Sequence, residues 1–316
     1  MKFVTPVVST IALVIAASLA ACAPKPEAAV EAPAETVAPA AAPAIAESAD
    51  VKPFAIGSLE AAALRDGGMQ VPNDNKILAI NATKAETAAV LTAAGLPVET
   101  LDLSVQPLFV RGAGKLMLFD AGAAGSMGPG AGKLPASLAS AGIDAAAVTD
   151  IFISHAHGDH VAGMVTAEGA LTFPNASVHI SAPEWASMQT QAPIAALVAA
   201  ITPKVVAFEP GADLIPGVVK AVAIDGHTPG HSGYEITSDG QSLLYIGDTM
   251  HHSVISVQQP DWTIQFDGDA PVAQASRKAL LARAAASGQR IYAVHFPFPG
   301  VGKFEVQGDK TVWVAE

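Results

Sequence analysis

The stretch SHAHGDH, Ser154–His160, decides how this chain is read. Three imidazoles and one carboxylate stand there almost side by side, with Ala156 and Gly158 as the only spacers between them. Such a run packs poorly in a core, where polar groups without partners are costly to bury. It follows TDIFIS (Thr149–Ser154), a run apolar on both faces, as a strand buried in a sheet should be. While the chain stays extended, His155 and His157 point to the same side, because side chains alternate with period two. Gly158 permits a sharp turn, so Asp159 and His160 enter the next segment in another direction. Two donors then serve one ion and two serve a neighbour. Imidazole and carboxylate without thiolate suit zinc or a similar divalent ion.

Four donors cannot close two sites, so the rest must come from elsewhere in the chain. It has nine histidines. His179, inside SVHIS, reads as a structural strand residue. The other five lie just past strand-like runs: His227 and His231 in GHTPGHSG, His251 and His252 after GDTM, and His295 in AVHFP. Strand ends are where α/β folds gather functional groups. Asp248 ends the run SLLYIGD, where a buried carboxylate needs a partner.

The pattern around these groups is that of one α/β body from residue 51 to 316. Strands are read at Lys115–Gly122, Ser177–Ser181, Val218–Gly226 and Ile291–Pro297. Asp239-Gly240 and Gly308-Asp309 each sit between two strand-like runs, as hairpin turns do. Helices are expected at Leu134–Gly142 and, most clearly, at Pro271–Gly288, with Asp269 as cap and Gly288 as stop. Hairpins mixed with helical crossovers argue for mixed sheets. No dinucleotide fingerprint, Walker loop or G-x-S-x-G elbow occurs.

Composition narrows the function. The net charge is −12, and the absence of any basic run excludes a nucleic-acid partner. VVSTIALVIAASLAA (Val7–Ala21) is shorter than the roughly 20 residues of a membrane span. It suits the core of a signal peptide, residues 1–22. It runs into LAAC (Leu19–Cys22), similar to the lipobox of bacterial lipoproteins, in which the cysteine carries lipid. Cys22 is the only cysteine, so the body has neither disulfide nor thiolate ligand. The Ala/Pro/Glu tract of residues 23–50 reads as a tether. The expected place is export with a lipid anchor. Ala23 after the cysteine favours the outer membrane, facing the periplasm.

SHAHGDH, DGHTPGHSGY, YIGD and AVHF, in that order and spacing, resemble the metallo-β-lactamase superfamily. The resemblance covers roughly Phe54 to the C-terminus. It implies an αββα sandwich of two mixed β-sheets with outer helices, and two divalent metal ions, Zn2+ by preference. One ion would take His155, His157, His231 and Asp248; the other would take Asp159, His160, His295 and the same bridging Asp248. His227 would stand behind the ligands. Asp120 would orient a ligand histidine or brace its loop, if it is not simply a turn cap. A bridging aspartate without a cysteine points to the branch of methyl parathion hydrolase and related lactonases, to which LFDAGAAG, VHFPFPGVGKF and FDGD are also similar. That branch implies a homodimer and a small-molecule ester, lactone or phosphotriester as substrate. Two ions about 3.5–4 Å apart share a water, lower its pKa toward about 7 and direct it at the substrate.

Asp159, Asp248 and His251 are thus the expected catalytic set, with His251 facing the substrate or its leaving group if it is not simply a surface histidine on a loop. Trp185 reads as a pocket wall or as an ordinary core tryptophan. Met127 stands where the branch has Phe, and Gln189–Glu209 is short, which opens the pocket and makes a lactone or carboxylic ester at least as good a substrate as an aryl phosphotriester. The competing readings are a glyoxalase-II-type thioesterase, a mononuclear iron persulfide dioxygenase, and a non-catalytic metal-binding lipoprotein.

Overall fold

Strands with apolar residues on both faces build the middle of the molecule. The structure is a computed structural model that describes residues 43–316 and, ahead of them, residues 2, 3, 9, 10 and 12. By contacts the chain divides into residues 1–42 and 43–316. The expected signal peptide with Cys22, apart from those five residues, and the tether as far as residue 42 lie outside the described residues. The folded body begins at Pro43, not 51. Ile45 packs into the core, and the Pro43 carbonyl accepts a hydrogen bond from Arg111 Nη2 at 2.8 Å. Among the described residues no helix is long and apolar enough to cross a membrane.

Among the described residues sixteen strands follow in order. The first nine are β1 (Val51–Ile56), β2 (Leu59–Leu64), β3 (Gly67–Pro72), β4 (Thr100–Val105), β5 (Leu108–Gly112), β6 (Lys115–Phe119), β7 (Asp150–Phe152), β8 (Ser177–Ser181) and β9 (Val205–Phe208). The rest are β10 (Asp213–Ile215), β11 (Val219–Ala223), β12 (Ser232–Ser238), β13 (Gln241–Tyr245), β14 (Arg290–Tyr292), β15 (Val301–Gln307) and β16 (Lys310–Ala315). The helices are α1 (Lys84–Ala93), α2 (Leu134–Ser140), α3 (Gly158–Val161), α4 (Ala182–Met188), α5 (Ala195–Ile201), α6 (Ile255–Gln258) and α7 (Ala270–Ser287).

One sheet runs β1-β2-β5-β6-β7-β8-β9, the other β10 to β16 in chain order, and β3 and β4 form a separate ribbon. Both large sheets are mixed. β6, β7, β8 and β9 pair in parallel, as do β13 and β14; the other pairs are antiparallel. Helical crossovers supply the parallel connections, as they must. Alternation then sorts the side chains. Met117 and Phe119 of β6, with Leu243 and Tyr245 of β13, meet between the sheets. Leu118 turns outward to α2 and α5, and Leu244 turns outward to α7. The result is four layers, helix–sheet–sheet–helix, as expected.

The predicted turns and caps are in place. Asp239 and Gly240 both have positive φ, 48° and 74°, as a two-residue hairpin requires. Asp269 caps α7 through its side chain, and Gly288 closes it in the left-handed region. Gly158 departs from expectation. It opens α3 and takes no positive φ. Its lack of a side chain serves close approach instead, since a Cβ there would lie 3.2 Å from Ser126 Cβ.

Candidate metal centre

Five loops at one end of the sandwich bring the chemistry together: those after β6, β7, β11, β13 and β14. They carry Asp120, the SHAHGDH run, His227, Asp248 and His295. Among the described residues three groups of donors form, two of them built on SHAHGDH. His155, His157, His227 and Asp248 have ligand atoms within 4.8 Å of one another, and so do Asp159, His160 and His295. The third group is Asp248, His251 and His295, which shares members with both the others and with the cavity wall. Asp248 stands between the first two. Its Oδ2 lies 3.5 Å from His155 Nε2 and 3.4 Å from His227 Nε2. Its Oδ1 lies 3.2 Å from His160 Nε2 and 3.0 Å from His295 Nε2. One oxygen faces each group, which is what a bridging carboxylate needs.

The outer ring nitrogens explain why the inner ones are donors. His160 Nδ1 contacts Asp120 Oδ2 at 2.6 Å, His227 Nδ1 contacts Asp267 Oδ1 at 3.0 Å, and His295 Nδ1 contacts the Ser104 carbonyl at 2.7 Å. Each of those acceptors claims the ring's N–H, which leaves a lone pair on Nε2, aimed inward. Asp120 takes three further donors: Ser154 N at 2.7 Å, Ser154 Oγ at 2.6 Å and Tyr245 OH at 2.6 Å. It orients a ligand-group histidine and braces its loop at once, from a backbone held at φ 59°. Asp267 is held in turn by Arg277 of α7. The Arg277 side chain is wholly buried; its Nη2 contacts Asp267 at 2.9 Å and its Nε contacts the Thr249 carbonyl at 2.8 Å.

At His231 the structure corrects the expectation. His231 belongs to none of these donor groups. Its Nδ1 bonds the Ile224 carbonyl at 3.1 Å, and its Nε2 accepts the backbone N–H of Asp248 at 2.9 Å. Both ring nitrogens are therefore committed, and no lone pair remains for an ion. His227, expected behind the ligands, stands among them instead. Its Nε2 is 3.2 Å from His155 Nε2 and 3.1 Å from His157 Nδ1. His231 positions the loop that presents Asp248. Gly247 makes room for it: a Cβ there, at φ 48°, would lie 2.4 Å from His231 Nε2.

The electrostatics fit a pair of cations. Burial disfavours charge on His160, His227 and His295, yet the surrounding carboxylates win. Asp248, Asp159 and Asp120 hold His160 well above the ordinary histidine value; Asp248 and Asp267 raise His227 to about 9; Asp248 and Asp159 raise His295. Burial and neighbouring imidazoles push His155 down and bring His157 to about 4. Asp248, although buried, is held well below the carboxylate range by His160, His295, His155 and His251. The cluster of acids thus calls for positive charge at its centre. His160 Nε2, Asp248 Oδ1 and both ring nitrogens of His251 are buried and have no hydrogen-bond partner among the described residues. Orphaned donors of this type, in this arrangement, suit divalent transition ions.

A cavity of about 290 Å3 opens onto Asp159, Asp248, His251 and His295. Its walls are Met69 of β3, Leu103 of β4, Met127 and Phe266. His251 is buried, not a surface loop residue. Its Nε2 lies 3.2 Å from Asp248 Oδ2, and its ring stacks on His295 at 5.2 Å. Trp185 takes the core alternative and packs against the cluster on the outer face of the first sheet. His179 lies in β8 and bonds Asp150 at 2.9 Å, away from the donors. The sequence reading missed Met69, Leu103, Arg277 and Glu184. Glu184 had one signal, the Ser181-x-x-Glu184 spacing of a helix start.

This chain belongs to the metallo-beta-lactamase superfamily, which matches residues 102–295, and it is a hydrolase of that fold with a His/Asp metal-binding cluster. Among solved structures it is similar to AidC, described as a dizinc quorum-quenching lactonase in complex with its product N-hexanoyl-L-homoserine. The two are 32% identical over 84% of this chain and 97% of that one, with a TM-score of 0.77. It is also similar to AbOPH, described as a hydrolase in the beta lactamase superfamily, at 27% identity over 85% and 98% of the two chains and a TM-score of 0.78. A probable metal-dependent hydrolase from Staphylococcus aureus shares the fold, at 18% identity, 83% and 99% coverage and a TM-score of 0.71. No curated protein matches the sequence.

Proposed function

We propose that the chain is a dinuclear, zinc-dependent lactonase, acting on neutral lactones or closely related carboxylic esters with an apolar substituent. The observation that carries this reading is Asp248, with one oxygen toward each donor group at the floor of an apolar cavity. His155, His157, His227 and Asp248 would hold one ion; Asp159, His160, His295 and Asp248 would hold the other. Bound there, the two ions supply an activated water and an electrophile for the acyl oxygen.

The chain's own groups do the rest. Asp120, Asp267 and the Ser104 carbonyl fix the imidazoles so that their Nε2 lone pairs face inward. His251, whose Nε2 lies 3.2 Å from Asp248 Oδ2 and which lines the cavity, is placed to hydrogen-bond the leaving oxygen from Nε2. Phe266, Met127, Leu103 and Met69 exclude water and receive the substituent. Among the described residues the cavity lining has no Lys or Arg, which disfavours a glutathione thioester or another anionic substrate. Phe266 is its one aromatic wall apart from histidines, which suits an aryl phosphotriester less well than a lactone. The similarity to a lactonase supports the same choice.

The test is a panel of acyl-homoserine lactones, simple lactones, aryl esters, phosphotriesters and thioesters, given to the zinc-loaded protein beside Asp248→Ala. Lactones should give the highest kcat/KM, and the variant should lose at least about a hundredfold, more than removal of an outer partner costs. Full activity in Asp248→Ala, or preference for any other substrate group, overturns the reading. We also propose that residues 1–22 are a lipoprotein signal, that Cys22 carries lipid at the outer membrane, and that the body is a homodimer. LAAC supports the anchor; release from the membrane fraction by Cys22→Ser, and the mass of the detergent-solubilised protein, test the two points.

A further inference from the structure

Glu184 is 1% exposed, yet it touches neither the cavity nor any ligand atom. It lies at the start of α4, where its backbone N–H bonds Ser181 Oγ at 3.3 Å. Its two carboxylate oxygens divide between two loops. Oε1 accepts the backbone N–H of Ala156 at 2.8 Å, between His155 and His157. Oε2 accepts Thr228 Oγ1 and the Gly230 N–H, each at 2.8 Å, just past His227. Ser181 Oγ completes the clasp by donating to the Gly230 carbonyl at 2.6 Å. The fit is tight: a Cβ on Gly230 would lie 2.2 Å from Ser181 Oγ and 2.3 Å from Glu184 N.

We propose that Glu184 is a positioning residue for the first donor group, setting the distance between the His155–His157 loop and the His227 loop. The proposal rests on the metal-centre reading above. A carboxylate is the one side chain of this length that accepts at both ends. An amide keeps the shape but turns one end into a donor, facing an N–H. Glu184 thus spaces the two loops that carry His155 and His227, whose Nε2 atoms lie 3.2 Å apart, while Asp267 and Ser154 orient the rings themselves. The second donor group has no contact with Glu184; Asp120 and Ser104 hold it separately.

The experiment is a Zn2+ titration of the metal-free full chain against a competing chelator, with Co2+ spectra to tell the two ions apart. Wild type, Glu184→Gln, Thr228→Val and His227→Ala are compared, and the last marks which ion belongs to the first group. Glu184→Gln should weaken that ion about 10–100-fold and leave the other unchanged. Thr228→Val, which removes one contact, should shift the same ion by a smaller factor. Wild-type affinity for both ions in Glu184→Gln overturns the proposal, as does equal weakening of both, the mark of a general loss of structure. If Glu184→Gln does not fold, Thr228→Val decides: unchanged affinities overturn the proposal. Failure of wild type to bind two ions refutes the metal-centre reading itself and is seen without any variant.

Discussion

Replacing Asp120 by Asn should damage stability and the second donor group together. Four donors converge on this carboxylate: Ser154 N on Oδ1, and Ser154 Oγ, Tyr245 OH and His160 Nδ1 on Oδ2. Asn offers one acceptor and one donor group. With its NH2 at the Oδ1 position, it faces the fixed N–H of Ser154. With its NH2 at the Oδ2 position, the two hydroxyls can rotate to accept, but the His160 ring must move its proton to Nε2. That proton occupies the lone pair the ion needs. The first choice leaves a buried donor unpaired, and either choice loses hydrogen bonds to a charged group, together worth about 2–4 kcal/mol. In a domain of this size that lowers the melting temperature by about 5–15 °C. Affinity for the ion at His160 should fall about 10–100-fold. Calorimetry of the metal-free protein gives the first number, and a Zn2+ titration gives the second. A variant with wild-type melting temperature and two tightly held ions would refute the reasoning.

His227→Ala should bind one ion less per chain, whereas His231→Ala should keep capacity for both and lose about 1–3 kcal/mol of stability from the freed Asp248 N–H; metal analysis of the two variants reverses the assignment if the pattern is swapped. His251→Leu should keep its metal content and lose about 10²-fold in kcat, as removal of a positioned catalytic hydrogen-bonding group does; unchanged steady-state kinetics on the best lactone would remove His251 from the reaction. Asp150 is buried, which opposes its charge, but hydrogen bonds from His179, Thr149 and Lys115 outweigh this and hold it below the carboxylate range. Its stabilisation is then complete above the unfolded carboxyl pKa of about 3.9 and is withdrawn as pH falls below it. Asp150→Asn should cost about 1–3 kcal/mol at neutral pH, with the gap to wild type narrowing between about pH 4 and pH 2; a constant gap in denaturant melts contradicts this.

The four-layer body could be read in the sequence because its signals are local. Apolar runs such as TDIFIS, the Asp239-Gly240 turn and the capped α7 each depend on neighbouring residues alone. The SHAHGDH string was legible for the same reason. His227 and His231 were not separable, because both sit in one short turn, and only the three-dimensional path shows which ring reaches the carbonyl of Ile224. Buried charges were hidden too. Glu184 and Arg277 look like ordinary surface residues of helices, and only tertiary contacts reveal what they hold. β4 alternates cleanly, with Leu101, Leu103 and Val105 inward, but its partner β3 opens on Gly67-Gly68 and ends on Pro72, so the pairing, and the walls it gives the cavity, were hidden in the sequence. Of the two readings of Trp185 the core one holds, because an aromatic near a site in sequence need not face it.

The way the ribbon meets His295 has a consequence for how such an enzyme can change. β4 holds the His295 ring through the main-chain carbonyl of Ser104, while the neighbouring side chain of Leu103 faces the cavity. A backbone contact survives nearly any substitution at its own position. Side chains at 69, 103, 127 and 266 can therefore be exchanged, and the choice of substrate altered, while the grip on the donor histidine stays the same. Selection can explore new substrates in this scaffold by changing walls one at a time, without first risking the reaction itself.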